Sequence, residues 1–272
     1  LRAHALLATL GSAGAILSTL GTVMAGKVPV MINYSTGAAE NCEYAQAKCG
    51  FRTIITSRAL VEKIGCRLVP GMIFIEDILV QIPLRYKLSS AMKAKMPARL
   101  IIAGLPKSHE DDNLVILFTS GSEKEPKGVQ LTHRNMGSNI QDLAKVFNLT
   151  DEDRFMSVLP LFHVFGHNAN FWLPLVIGMT NITAANPLEY KKIPQYIRTH
   201  KATLIAGTPI FFAGYLRESK PGDFSTCRII LAGADKTPAW LREGYQQKHQ
   251  MDLLEAYGTT ETSPGVSVNT PH

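Results

Sequence analysis

Short runs of β-branched and aliphatic residues alternate along the chain with longer stretches whose apolar positions recur at helical spacing. Residues 28–32, 53–56 and 72–75 read as strands, and residues 38–48 as a helix closed by Gly50. Farther on, residues 114–118 form a five-residue apolar run, followed by a polar loop and a helix over about residues 134–146. Later strands are expected at 155–158, 181–184, 203–206, 228–231 and 252–255. This alternation implies an α/β fold: doubly wound, mostly parallel sheets with helices on both faces. Ligands then belong at the carboxyl ends of the strands.

Residues 5–26 carry no charge over 22 positions, long enough for a membrane span or a targeting segment. Gly11, Ser12, Gly14, Ser18, Thr19, Gly21 and Thr22 dilute that apolarity. Leu6, Leu10, Ala13, Leu17, Leu20 and Met24 recur at helical spacing, as in a helix packed on a sheet. The two readings stand side by side at this point. No internal repeat is visible. The polar, proline-containing stretch 104–113 is the one candidate boundary, separating a first α/β portion (1–110) from a second (111–272).

Composition narrows the class. The 272 residues are 46% hydrophobic and 18% charged, against a usual charged share of about 25%, which excludes a disordered chain, a coiled coil or a disulfide-stapled miniprotein. The net charge of +6 allows an attraction to acidic partners and names none. Cys42, Cys49, Cys66 and Cys227 lack Cys-x-x-Cys spacing and read as reduced thiols. On one helix, Cys42 and Cys49 would lie about 10 Å apart along the axis, too far to bridge.

The run Phe118-Thr119-Ser120-Gly121-Ser122-Glu123-Lys124-Glu125-Pro126-Lys127-Gly128 carries the most chemistry. Hydroxyls, free backbone N–H groups and one lysine at the end of an apolar strand suit a polyphosphate, which needs directed donors and a compact cation. It is not a Walker loop, since no Gly-Lys-Ser/Thr follows. On these grounds a phosphate loop and a solvated turn both remain open.

The same run resembles the phosphate-loop signature of the adenylate-forming superfamily, the acyl-CoA synthetases, peptide-synthetase adenylation domains and luciferases. Leu159-Pro160-Leu161-Phe162-His163, Ala232-Gly233-Ala234-Asp235 and Tyr257-Gly258-Thr259-Thr260-Glu261 resemble three further motifs of that family in the right order. Residues 26–34 resemble its early strand, which favours the packed helix over the membrane span. Residues 119–123, 153–157 and 29–34 are similar to a narrower group, the synthetase half of bacterial bifunctional 2-acylglycerophosphoethanolamine acyltransferase/acyl-(acyl-carrier-protein) synthetases. Lys124 departs from the pattern, standing where the family usually has glycine.

The resemblance implies a fatty-acid adenylating enzyme using ATP and Mg²⁺, with transfer of the acyl group to acyl carrier protein or, alternatively, to CoA. A nucleotide-binding module without turnover is the other class. By the same resemblance, Thr119, Ser120, Gly121, Ser122 and Lys127 hold phosphates, and Thr260 meets the α-phosphate. Glu261 holds the metal. Tyr257 and Gly258, with Thr259, face the adenine opposite Gly233, Ala234 and Asp235. His163 and His167, with Gly207 and Thr208, belong to the acyl side, and His163 also to catalysis. Phe162, Phe165, Phe171, Trp172, Phe211 and Phe212 are candidates for an acyl tunnel or for plain core. A zinc pair at His163 and His167 is disfavoured, because no Glu sits between them as a zinc protease requires.

The family's ribose-binding Asp, its hinge and its C-terminal catalytic lysine have no counterpart after residue 261, and no His has an Asp five positions on, the acyltransferase spacing. The expectation is therefore a piece of a large N-terminal domain, cut at both ends, weakly active alone and without the acyltransferase step. Its expected setting is cytoplasmic, with peripheral inner-membrane association through sequence outside residues 1–272. Nucleic acid is not among the implied partners.

Overall fold

The computed structural model describes residues 3–6, 13–119 and 125–270. They fall into two compact units, one running to His133 and the other from Arg134.

The first unit contains β1 (Ala3–Leu6), α1 (Ala13–Met24), β2 (Val28–Met31), α2 (Ala38–Cys49), β3 (Ile54–Thr56), α3 (Arg58–Ile64) and β4 (Met72–Phe74). There follow α4 (Ile75–Gln81), α5 (Leu84–Lys93), α6 (Ala98–Ala103), β5 (Asn113–Phe118) and β6 (Gly128–Thr132). Its sheet has the order β4-β3-β1-β2-β5-β6, parallel throughout except for the antiparallel β5–β6 edge. Val30, Ile54 and Ile116 meet Ala39, Cys42 and Ala45 of α2 in the core. Those small side chains share one helix face and let α2 lie close on the sheet. Gly50 ends α2 in the left-handed region, φ 68°, and donates its N–H to Gln46 O at 2.9 Å. Burial pushes the Cys42 thiol up to about 12, so it stays protonated.

Three expectations change here. The uncharged stretch 5–26 is not one helix, because Ala3–Leu6 is strand β1 and, among the described residues of the stretch, the helix is Ala13–Met24. Its buried face is Ala15, Thr19 and Thr22, whereas Leu17 and Met24 are exposed. The hydroxyls allow this: Thr19 Oγ1 donates to Ala15 O at 2.8 Å and Thr22 Oγ1 to Ser18 O at 2.7 Å, so the burial leaves neither unpaired. Among the described residues no helix is long and apolar enough to cross a membrane. Finally, the boundary falls after His133 rather than in 104–113, since β5 and β6 complete the first sheet.

The second unit runs α7 (His133–Val146), β7 (Arg154–Ser157), α8 (Val164–His167), a π turn (Asn168–Trp172), α9 (Leu173–Ile177), β8 (Thr180–Thr183) and α10 (Lys192–His200). Then come β9 (Leu204–Gly207), α11 (Pro209–Glu218), β10 (Ile229–Ala232), α12 (Ala239–His249), β11 (Leu253–Gly258), a 3₁₀ turn (Thr260–Thr262) and β12 (Gly265–Val268). The sheet order is β12-β11-β10-β9-β7-β8, again parallel but for one edge, β11–β12. Successive residues feed opposite faces: Met156, Ile205 and Ile230 enter one core cluster, while Phe155, Leu204 and Ile229 enter the other.

The amino ends of these strands are tied together. Arg228 reaches both carboxylate oxygens of Asp153, at 2.9 and 2.6 Å, and Thr203 Oγ1 donates to Asp153 Oδ1 at 2.8 Å. Burial alone would raise the Asp153 pKa, but the hydrogen bonds from Arg228, the Thr150 N–H and Thr203 outweigh it and hold the carboxyl below its ordinary value.

Candidate active site

The described motif residues stand at strand ends. In the first unit β5 runs into Thr119, and the chain returns at Lys127 to start β6. The Thr119 N–H donates to Lys127 O at 3.0 Å and the Lys127 N–H to Thr119 Oγ1 at 3.1 Å, closing the base of the loop. Ser120, Gly121, Ser122 and Lys124 lie outside the described residues. The return limb is braced by α2: Tyr44 donates its hydroxyl to Pro126 O at 2.8 Å, and Lys48 Nζ pairs with Glu125 at 3.3 Å. Gly128 sits opposite Phe118 in the ladder, and a Cβ there would stand 3.3 Å from the Phe118 ring. Glu125 is occupied by Lys48, and the exposed Lys127 ammonium meets no carboxylate among the described residues.

In the second unit the motifs follow β7, β9, β10 and β11. After β7, residues 158–163 lead into α8. His163 is exposed and caps that turn, its Nδ1 accepting the Phe165 N–H at 3.2 Å, which leaves the neutral ring an Nε2–H donor. His167 is different. It is fully buried, its Nε2 accepts the Trp172 indole N–H at 3.1 Å, and its Nδ1–H therefore donates to Leu161 O at 3.1 Å. Burial pushes its pKa down to about 4. Both ring nitrogens are engaged, so the expectation that His167 meets substrate is corrected to a packing and positioning role, and the zinc pair has no free nitrogen on that side.

At β9 and β10, the Gly233 N–H donates to Gly207 O at 3.0 Å, joining two of the expected segments. A Cβ on Gly233 would come within 3.1 Å of the Phe165 ring and 3.3 Å of Ala256 O, so a side chain there would press on both. Ala234 takes φ 69°, which turns the chain outward to exposed Asp235. The Thr208 hydroxyl is buried and without a hydrogen-bond partner.

At the end of β11, Tyr257 is 64% exposed, a ring face open to a planar ligand rather than a core tyrosine. A Cβ on Gly258 would collide with the Pro264 carbonyl oxygen. The Thr259 N–H donates to that oxygen at 3.1 Å, and Thr259 and Thr262 form a capping box around the 3₁₀ turn that carries Thr260 and Glu261. Two residues that the sequence did not single out hold this turn. Asn168 Nδ2 donates to Ser263 O at 2.5 Å and to Asn139 Oδ1 at 3.2 Å, and Asn139 Nδ2 donates to Gly265 O at 2.9 Å. The one signal, for Asn168 alone, was the Asn-Ala-Asn run at 168–170 inside an apolar stretch.

Among the aromatics, Phe212 packs edge-on against Tyr215 and Tyr245 in the core, and Phe171 packs on Trp172 and His167. Core packing accounts for these three without a tunnel. Glu261 is exposed and pairs with no cation among the described residues. One free carboxylate suits Mg²⁺, which takes one or two carboxylates and fills its remaining positions with phosphate oxygens and water.

Residues 5–272 match the AMP-binding enzyme family. The chain is 31% identical over 187 residues to the long-chain-fatty-acid–CoA ligase of Bacillus subtilis (strain 168), covering 66% of this chain and 32% of that one. It is 32% identical over 164 residues to the medium-chain fatty-acid–CoA ligase of Escherichia coli (strain K12), covering 60% and 29%. To the mitochondrial medium-chain acyl-CoA ligase ACSF2 of Homo sapiens it is 28% identical over 287 residues, covering 92% and 45%. The chain thus spans less than half the length of these relatives. In fold it superposes on o-succinylbenzoate CoA synthetase from Bacillus subtilis in complex with its acyl-adenylate, with a TM-score of 0.82 at 20% identity over 99% of this chain and 51% of that one. The same enzyme with ATP and magnesium ion gives 0.78, at 20% identity over 99% and 52%. The chain belongs to the AMP-binding enzyme family.

Proposed function

We propose that this chain is the adenylate-forming part of an acid–thiol ligase whose acid is a fatty acid. The observation that carries the reading is the set of motif residues at strand ends, with Lys127 and Glu261 both exposed and without a charged partner among the described residues. The fatty acid comes from the names of the relatives, which are fatty-acid–CoA ligases.

A carboxylate attacking the α-phosphorus of ATP brings two anions together, so the protein's task is positioning and charge neutralisation. A carboxylate oxygen bonds to the α-phosphorus and the bond to pyrophosphate breaks, giving acyl-adenylate. A thiol sulfur then attacks the acyl carbon and AMP leaves. In this scheme Lys127, Thr119, Ser120, Gly121 and Ser122 hold the outer phosphates, and Thr260 donates to the α-phosphate. The His163 Nε2–H donates to the reacting oxygens. Tyr257 covers one face of adenine, with Gly233, Ala234 and Asp235 at the other and Gly258 and Thr259 beside it. Gly207 and Thr208 border the acyl group. Glu261 would hold Mg²⁺, which would supply positive charge to neutralise the phosphates.

CoA is the acceptor that the relatives' names favour. The narrower resemblance of residues 119–123 and 153–157 favours acyl carrier protein, and the phosphopantetheine thiol is common to both. In the enzyme that carries this chain, fatty-acid-dependent ATP–pyrophosphate exchange is the expected activity, and thioester formation compared with CoA and with acyl carrier protein assigns the acceptor. Lys127→Ala is expected to slow exchange by roughly 10²- to 10³-fold with thermal stability unchanged. An unchanged rate removes Lys127 from the site.

A further inference from the structure

The net charge of the chain has one address. Between Asp77 and Glu110 there is no acidic residue, and there are six basic ones: Arg85, Lys87, Lys93, Lys95, Arg99 and Lys107. Removing these six from the 28 Lys and Arg leaves 22, which the 22 acidic residues cancel, so the whole excess of +6 lies in this segment. None of the six forms an ion pair among the described residues.

The segment holds the end of α4, after Glu76 and Asp77, and all of α5 and α6, and none of these helices has a fully buried residue. On α5, Leu84, Leu88 and Met92 stand four apart, and so on one face, yet are 69%, 58% and 69% exposed. Val80 of α4 is 82% exposed. Arg85, Lys87 and Lys93 flank the α5 stripe. A helix with an unpartnered apolar stripe, cationic flanks and no acidic residue has the make-up of one that lies in a bilayer interface. Its cations match anionic headgroups, and its aliphatic side chains match the acyl boundary beneath them.

We propose that residues 78–107 dock this chain on an anionic lipid surface, with Leu84, Leu88 and Met92 inserted and the lysines on the headgroups. The proposal does not depend on the ligase reading, since its test measures no turnover. The chain is mixed with vesicles of phosphatidylcholine containing about a quarter phosphatidylglycerol, and with vesicles of phosphatidylcholine alone, and partitioning is read by flotation. Binding to the anionic vesicles, weakened by added salt, is expected. A Lys87→Gln, Lys93→Gln, Lys95→Gln variant should bind roughly 100-fold more weakly, at several-fold per cation. A Leu84→Ser, Leu88→Ser, Met92→Ser variant should lose binding with its circular dichroism spectrum unchanged, because all three side chains are already in solvent. Equal binding to both vesicle types, or undiminished binding by both variants, overturns the proposal. So does capture of the chain by an acidic carrier protein while the vesicles are ignored.

Discussion

The two sheets finish in the same way and are held differently. Each has five parallel strands and one antiparallel edge strand, and in each a motif occupies the turn between the fifth and the sixth: residues 119–127 between β5 and β6, and residues 259–264 between β11 and β12. An antiparallel return hydrogen-bonds both limbs of such a turn, so the residues at its base are fixed. The first turn is braced from outside, by Tyr44 and Lys48 of α2 on its exposed limb. The second is braced from inside, by buried Asn168 and by Asn139. Surface bracing answers to salt and interior bracing to packing and protonation.

The largest break in this likeness is expected from Gly258→Ala. The new methyl group meets the Pro264 carbonyl oxygen, which the backbone of the second turn cannot withdraw without giving up the Thr259 N–H bond. A loss of about 3 kcal/mol in unfolding free energy is expected, the upper end for overpacking. Displacement of Thr260 and Glu261 by about 1 Å is expected to slow adenylation about 10²-fold in the enzyme that carries this chain. Gly128→Ala, which meets only the edge of the Phe118 ring, is the matched change on the first turn and should do much less. Equal effects at the two glycines refute the difference in bracing.

Acid should separate the two turns next. His167 precedes Asn168 and is held neutral by burial, its pKa down at about 4 from an ordinary 6.5. The unfolded chain takes up that proton first as pH falls. The stabilisation is therefore fully present above about pH 6.5 and is lost as pH drops toward 4, about 3 kcal/mol in all. The readout is the unfolding free energy of the wild type and of His167→Gln between pH 7 and 4. The variant should be flatter across that window, and amide protection at Gly265 should fall with acid sooner than at Lys127. Identical pH slopes for the two proteins remove His167 from the account.

The sequence made the parallel strands legible because burial on both faces leaves short, unbroken apolar runs such as residues 114–118. The four motifs were legible because their chemistry is local. What was hidden depends on the fold. Gly128–Thr132 is short and half polar, and it becomes a strand only by pairing with β5. In α1 the leucines set the visible period, yet the threonines face inward, because back-bonded hydroxyls pack closely. No residue of the helices over 75–103 is fully buried, so no strong periodicity had to mark them. His167 and His163 are alike in sequence, and only the Trp172 indole and the depth of burial distinguish the buried, doubly bonded ring of His167 from the exposed ring of His163. Asn139 lies far from the turn in sequence and reaches it only through tertiary packing.

The smallest expected effect tests the outer brace. Tyr44→Phe keeps the edge-on contact with Phe118, whose ring centroid lies 5.8 Å away, and removes the hydroxyl's 3.4 Å bond to Glu125 Oε2 and its 2.8 Å bond to Pro126 O. That oxygen is partly solvated and can recover a water, so the loss should be about 1 kcal/mol or less. Lys48 and Glu125 remain in place, but their side chains are 54% and 70% exposed, and an ion pair so open contributes little and fades with salt. The consequence should be conditional. At low salt the variant should keep a nearly normal KM for ATP, and at high salt, with the ion pair screened as well, KM should rise while kcat stays close to its low-salt value. A KM that is insensitive to salt in both proteins would mean that the reciprocal Thr119–Lys127 bonds hold the first turn unaided, and the contrast between outer and inner bracing would then rest on the second turn alone.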